Sequence, residues 1–408
     1  MGQSADEVLF LAHRIPWPPD RGDRIRSWHL LCALAARAKV HCGCLVEGKI
    51  APGQVEAIAG LTDSWCLARR SPSLGLAAVA ALASGRPISV AAFSSQQLRR
   101  WVREMLDTGR VGTIFAFSGQ MAQYVPDDFR GRVVMDFVDV DSAKFAAYAA
   151  GARSWAVRSI HAREARVLSA FEQRAAHRAD VSLLVTPEER DLFVSRLADP
   201  AGCAVCALGN GIDAARFSPD AVVPEPSLRL GGPHIVFTGQ MDYAPNGAAV
   251  SLFAHDVMPV IRARHCDAQF TIVGRAPNAQ VRALDGLHGT RVTGEVSDVR
   301  PWLAAADVVT APLQIARGVQ NKVLEAMAMA RPVVLTTAAA TGIGGTDGAH
   351  FAIADGAAAL AAQVLALIED RAAAHTMGVA ARAFVLAHAG WDQVLAPLPA
   401  MMGWADAA

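Results

Sequence analysis

Short β-branched apolar runs alternate along the chain with longer Ala-, Leu- and Arg-rich segments whose apolar residues recur at helical spacing. That alternation specifies parallel sheet with helices on both faces. In the first half the runs are "VLFLAHR" (8–14), "KVHCGCLV" (39–46), "VGTIFAF" (111–117), "RVVMDFV" (132–138) and "VSLLVT" (181–186). In the second half they are "HIVFTGQ" (234–240), "AQFTIVGR" (268–275), "RVTGEV" (291–296), "DVVTAPL" (307–313) and "PVVLTT" (332–337). Between the halves, "GNGIDAARFSPDAVVPEPSLRLGGP" crowds Gly, Pro, Ser and Asp together without periodicity and reads as a linker. The predicted fold class is α/β with two open sheets: a first domain over 1–207, a linker over 208–232, a second domain over 233–385, and a final helical segment over 386–408 expected to return to the first domain.

Length supports the same division, since 408 residues suit two domains with their own cores. The chain is 52% hydrophobic and 19% charged, which marks it as globular, and its formal net charge of zero removes any global field for a nucleic-acid partner. The start has acidic residues and too short an apolar run for a secretory signal. The apolar stretch "LGLAAVAALAS" is well short of the ~20 residues of a spanning helix and reads as a helix or loop packed on the surface. Seven cysteines without framework spacing suit a reducing cytosol, and the isolated "HCGC" and "CAVC" pairs argue against a structural metal.

The motifs "ALGNGIDAARFSP", "VFTGQMDYAPN", "FTIVGRAP", "VTGEVSDVRPWLAAADVVTAPL" and "NKVLEAMAMARPVV" follow one another in order. Together they resemble the retaining, nucleotide-sugar-dependent glycosyltransferases of family 4, which have the GT-B fold of two Rossmann-like domains facing across a cleft. Within that family, "HRIPWPPDRGDRIRSWHLL" and "VVMDFVDVDSAKF" resemble sugar transferases of exopolysaccharide and exosortase systems. The resemblance implies a hexosyltransferase that uses a nucleotide-diphosphate sugar and no metal or other cofactor. It implies a saccharide or lipid-linked saccharide acceptor on the first domain and donor binding mainly by the second. It also implies a cytoplasmic protein, peripheral at the inner face of the membrane. A nucleotide-sugar epimerase or hydrolase, or a degenerate nucleotide-sugar-binding scaffold, are the alternatives.

Site expectations centre on "RGVQNKVLEAMAMARPVV". A helix N-terminus offers free N–H groups and roughly half a positive charge to a diphosphate. Arg317 and Lys322 add full charges there, with Asn321 at the helix start. The resemblance gives Glu325 the ribose hydroxyls, a task suited to an acceptor-only carboxylate. Family members commonly carry a second glutamate earlier in the chain, separated from this one by seven residues; here that position is Arg317, expected to grip phosphate instead. Gly239, Gly274 and Arg275 follow strands and are expected at the donor, with the backbone of Val296 near the base and Asp298 capping a helix from about Pro301. In the first half, Gly22 in "PWPPDRGDRIRS" is expected over the donor diphosphate, and Trp17, Trp28, Arg21, Arg24 and Arg26 against anionic lipid. Asp139, in a cluster with Asp136 and Asp141, is the expected catalytic group for the acceptor hydroxyl. The alternative for that cluster is a helix cap by Asp141 or Ser142. His13 ends the first strand. Glu164 and Glu172 repeat this pattern, with seven residues between them, but read as helix-surface carboxylates.

Overall fold

The computed structural model describes residues 7–70, 75, 81–152, 154–228, 231–316 and 319–404. The chain divides into two compact units, Met1–Gly209 with Leu395–Ala408, and Asn210–Val394. Arg317 and most of the apolar stretch at 74–84 lie outside the described residues.

The first unit contains a parallel sheet of β1 (Glu7–Ala12), β2 (Val40–Val46), β3 (Ser64–Arg69), β4 (Val111–Phe117), β5 (Arg132–Val138), β6 (Val181–Leu184) and β7 (Val205–Ala207). Their order across the sheet is β3-β2-β1-β4-β5-β6-β7. Every residue of β1 and β2 is buried, as expected where helices cover both faces of a parallel sheet. The second unit repeats the scheme with β8 (His234–Thr238), β9 (Gln269–Val273), β10 (Thr290–Gly294), β11 (Val308–Ala311), β12 (Val333–Leu335) and β13 (Ala352–Ile353). These are ordered β10-β9-β8-β11-β12-β13. In both sheets the chain first winds outward in one direction and then returns to the centre to wind in the other. The reversal falls between β1 and β4 in one and between β8 and β11 in the other.

Three strands go beyond the sequence expectation: β3, β7 and β13. The last two have three and two residues, too short for periodicity to register, and "CAVC" is part of β7. Nor is the Gly- and Pro-rich stretch a free connector. Ile212 and Leu228 are buried in the second unit's core, which holds 210–228 along that unit. At the far end, Ala389 accepts a hydrogen bond from Ile212 N–H at 2.8 Å within the second unit. Past Val394 the chain belongs to the first unit, where Arg132 Nε donates to the Met401 carbonyl at 3.0 Å.

Glu164 and Glu172 are not surface carboxylates. Both lie buried on the long helix Trp155–Arg178. Glu164 accepts from the N–H groups of Ile88 and Ser89 at 2.9 and 2.8 Å, satisfying the start of the helix Ile88–Ala91. Glu172 accepts from Ser142 N–H at 3.0 Å, and Glu189 from Val140 N–H at 2.9 Å, at the start of the helix Asp141–Gly151. Neither Asp141 nor Ser142 caps that helix with its own side chain, because carboxylates from other helices meet the orphan donors. A polar residue among apolar ones on a helix ordinarily faces water; here free N–H groups drew the carboxylates inward.

Burial lifts the Glu172 carboxyl from the usual value near 4.5 to about 7, with the Ser142 hydroxyl and N–H pulling it back. The folded protein therefore binds this proton more tightly than the unfolded chain. Its stabilising effect is complete below the unfolded value and is lost as pH rises through about 7. Glu172→Gln keeps an acceptor for Ser142 and cannot ionise. Urea titrations across pH should show the decline between about 4.5 and 7 reduced in the variant, which should be more stable than the parent at alkaline pH by about 1–3 kcal/mol.

Candidate functional site

In the second unit the reversal of strand order puts the C-terminal ends of β8 and β11 side by side, the position where open α/β sheets hold ligands. β8 ends in the turn at Gly239, and the loop after β11 leads into the helix Asn321–Ala328. Gln320, in extended conformation, precedes that helix without a side-chain cap. In the first turn the Val323 N–H turns back to the Gln320 carbonyl at 2.9 Å, and a helix start of this kind favours an anionic acceptor at its mouth. Asn321 Oδ1, shielded from solvent, has no hydrogen-bond partner among the described residues.

Lys322 is fixed by two contacts, one from β8 and one from the helix Ala244–Leu252 that follows it. Its Nζ donates to Asn246 Oδ1 at 2.6 Å and stands 4.5 Å from the centre of the Phe237 ring. Asn246 is held in turn by donating from Nδ2 to the Gln240 carbonyl at 2.8 Å. Burial pushes the Lys322 ammonium down to about 7, against the pull of Glu325. Burial pushes Glu325 up to about 7, against Lys322 and Arg216. One turn of helix thus carries a cation and a carboxyl that both titrate near neutrality, an arrangement characteristic of binding sites.

The glycines have a steric reason. A Cβ on Gly274 would stand 1.6 Å from the Gly239 carbonyl oxygen, inside any permitted contact, and one on Gly239 would stand 3.2 Å from Lys322 Nζ. The two strand ends are joined by Gly239 N–H donating to Val273 O at 3.0 Å and by Met241 N–H donating to Arg275 O at 2.9 Å. Arg275 Nη2 donates to Gln240 Oε1 at 3.1 Å, so it belongs to the same corner. Lys322, Glu325, Asn321, Gly239, Gly274 and Arg275 therefore gather at this end of the sheet.

Other expectations fare differently. Asp298 stands two residues before the helix Arg300–Ala305 and its Oδ1 caps the first helical N–H, whereas Val299 between them offers no side-chain cap. Asp298 is bound by its near neighbour, accepting from the Arg300 N–H at 2.9 Å and from Arg300 Nη2 at 2.6 Å. Val296 is a half-buried residue packed on the core. Gly22 is the first residue of the helix Gly22–Ala35 in the first unit. Around it the arginines expected to meet lipid are engaged. Arg24 pairs with Asp20 at 3.1 Å and Arg21 with Asp23 at 3.5 Å. Arg26 is buried against Asp136 at 2.8 Å, and Trp17 and Trp28 pack on each other at 4.7 Å. Asp139 accepts from Lys144 Nζ at 2.8 Å, and His13 lies 5.7 Å from the Phe117 ring at the end of β1. Asn246, Phe237 and Gln240 complete the Lys322 environment, and Arg216 acts on Glu325, without having been singled out in the sequence. The signal available for Asn246 was its place in "DYAPNG", just after a glycine turn that ends a strand.

Residues 232–370 match the family described as glycosyl transferases group 1. Across 98% of this chain and 99% of its own, the structure of HepE from Anabaena in complex with UDP and glucose superposes with a TM-score of 0.67 at 14% identity. The fold is GT-B. The same GT-B likeness extends to WaaG, a glycosyltransferase involved in lipopolysaccharide biosynthesis, with TM-score 0.66, 14% identity, and coverage of 97% of this chain and 100% of that one. Among curated proteins, a phosphatidyl-myo-inositol mannosyltransferase of Propionibacterium freudenreichii subsp. shermanii is 28% identical over 207 residues, 48% of this chain. The matched region spans about half the length of that relative.

Gly274→Ala tests the corner's geometry. The added methyl has no room to relax because backbone faces it, so the variant should lose about 3 kcal/mol or more of stability in chemical denaturation.

Proposed function

We propose that this protein is a retaining glycosyltransferase that moves a hexosyl unit from a nucleotide-diphosphate sugar to a saccharide or lipid-linked acceptor in cell-envelope or exopolysaccharide synthesis. The observation that carries this reading is the Lys322–Asn246–Glu325 constellation at the strand-order reversal of a unit that matches glycosyl transferases group 1. The names of the relatives, a mannosyltransferase and a protein solved with UDP and glucose, support it.

A nucleotide sugar presents two phosphate charges, a ribose diol and an anomeric bond whose cleavage leaves extra charge on the diphosphate. The helix N-terminus and Lys322 Nζ, with Arg317, hold that diphosphate, and they grip it harder as charge builds up on breaking the bond. Charge of this kind comes from side chains and backbone, so the reading needs no metal. Glu325 accepts from the ribose hydroxyls. The acceptor oxygen forms its bond to the anomeric carbon on the face the diphosphate leaves; the bond to diphosphate breaks, and the acceptor proton passes to the departing phosphate oxygen. Asp139, already hydrogen bonded to Lys144, orients the acceptor hydroxyl in this scheme.

A thermal-shift panel of nucleotide sugars should stabilise the protein, and Lys322→Met should abolish the shift. Turnover should require an acceptor. Shift without transfer to any acceptor points to a binding scaffold, and shift with donor loss alone points to a hydrolase. Arg317→Ala should raise the donor KM about tenfold or more, since a charge-assisted hydrogen bond is worth roughly 1.5–3 kcal/mol. An unchanged KM removes Arg317 from the site.

The pH dependence has a definite sign. Below about 7, Lys322 is charged and Glu325 protonated; above it, Lys322 is neutral and Glu325 ionised. The pair changes from net positive to net negative. Calorimetric affinity for UDP-glucose, whose diphosphate does not titrate in this range, should fall as pH rises from about 6 to about 8, whereas an ordinary lysine would stay charged throughout.

A further inference from the structure

At the amino ends of its strands, opposite the carboxyl ends where open α/β sheets hold ligands, the first sheet carries a chain of polar groups. Glu7 opens β1, His41 is the second residue of β2, and Ser64 opens β3. His41 is level with Leu9 on one side and with Ser64 on the other, and Glu7 lies two residues before Leu9. Register partners in parallel strands, and residues two apart along one strand, share a face, so all three side chains stand on the same side of the sheet. Two contacts of 2.8 Å join them, His41 Nε2 to Glu7 Oε2 and His41 Nδ1 to Ser64 Oγ.

The direction of each bond follows from chemistry. An ionised carboxylate only accepts, so Nε2 carries the imidazole proton; Nδ1 of the neutral ring then holds the lone pair, and the Ser64 hydroxyl donates to it. The His41 bond, with Arg110 Nε 3.6 Å from the same oxygen, holds the Glu7 carboxyl below the usual carboxylate range. Met105 Sδ, on the helix Gln96–Asp107, stands 3.7 Å from Ser64 Oγ but is too weak an acceptor to compete with the ring nitrogen. Hydroxyl, imidazole and carboxylate thus stand in the order of a nucleophile, its base and the group that orients the base. Burial separates their roles. His41 is 3% exposed and Glu7 is buried, whereas Ser64 is half-buried on the edge strand, between exposed Asp63 and Trp65. The serine is therefore the end nearest solvent, an opening that a staple between three strands would not need. Cys66, two residues further along the same face, is no competitor, because burial pushes its thiol up to about 11.

We infer that Ser64 is an activated nucleophile that takes an acyl group from activated esters and thioesters, with His41 as its base and Glu7 orienting His41. Ser64 Oγ forms a bond to the acyl carbon while its proton moves to His41 Nδ1. The bond from that carbon to the aryl oxide or thiolate then breaks, and the departing group takes the proton from Nδ1. The products are an acyl-serine and a free phenol or thiol, with no change of oxidation state. This rests on the first unit alone and is independent of the donor site in the second.

The test is to treat the full chain with p-nitrophenyl acetate and, separately, with a fluorophosphonate, which prefers activated serines to thiols such as exposed Cys266, and to map the label by peptide mass. Both reagents should mark Ser64, and Ser64→Ala should remove that mark. His41→Gln should slow the labelling about a hundredfold or more. Glu7→Gln keeps an acceptor for the Nε2 proton but no charge, and should slow it about tenfold or more. Urea titration checks that each variant folds, and Glu7→Gln decides the matter where His41→Gln does not fold. A parent that takes no label on Ser64, or variants labelled there at the parent's rate, overturns the inference and leaves the trio as a staple between strands. Nucleotide-sugar shifts in the same variants report separately on the donor site.

Discussion

The missing side chain of Gly274 lets the Gly239 carbonyl approach its backbone, and the second unit's chemistry follows from that approach. The carbonyl of Gly239 occupies the place where a side chain on Gly274 would begin. With the ends of β8 and β9 drawn together, the helix that follows β8 brings Asn246 to Lys322, and Phe237 lies beneath the ammonium. The lysine is then held by one neutral oxygen and one ring face, which position it without neutralising it. A carboxylate in place of Asn246 would have satisfied the ammonium and left little for a bound anion.

The first unit solves a different problem at the corresponding edge. Ser118 and Val138, which end β4 and β5, both have positive φ, at 79° and 69°. For a β-branched residue this conformation is costly and persists only where its surroundings enforce it. Those surroundings are visible: Asp136 O accepts from Ser118 N–H at 2.7 Å, and Asp136 Oδ1 accepts from Val138 N–H at 3.0 Å. The same carboxylate is paired with buried Arg26. Burial favours the neutral acid, while the guanidinium and the Val138 N–H draw the group back towards its charged form. Together with Glu189 and Glu172, this pins the segment that carries Asp139.

Much of this was legible in the sequence, and the limits have physical causes. The central strands are continuous apolar runs because both faces of their sheets are covered, so β1, β2, β4, β5, β8 and β9 could be read directly. Edge strands β7 and β13 are too short for any period. Lys322, Glu325, Gly239 and Gly274 stood out by their order along the chain. Asn246 and Phe237 did not, since their roles exist only once β8 lies beside β11. Glu164 and Glu172 were misread because helical position alone says nothing about uncapped N–H groups arriving from elsewhere.

The inward carboxylates also alter the charge a partner meets. Among the described residues Glu7, Asp136, Glu164, Glu172 and Glu189 are buried, against a single buried arginine, Arg26, and no buried lysine. Setting these aside leaves the described arginines and lysines outside the core in a small excess over the described carboxylates. A chain that is neutral on paper therefore offers a partner a mildly basic described surface.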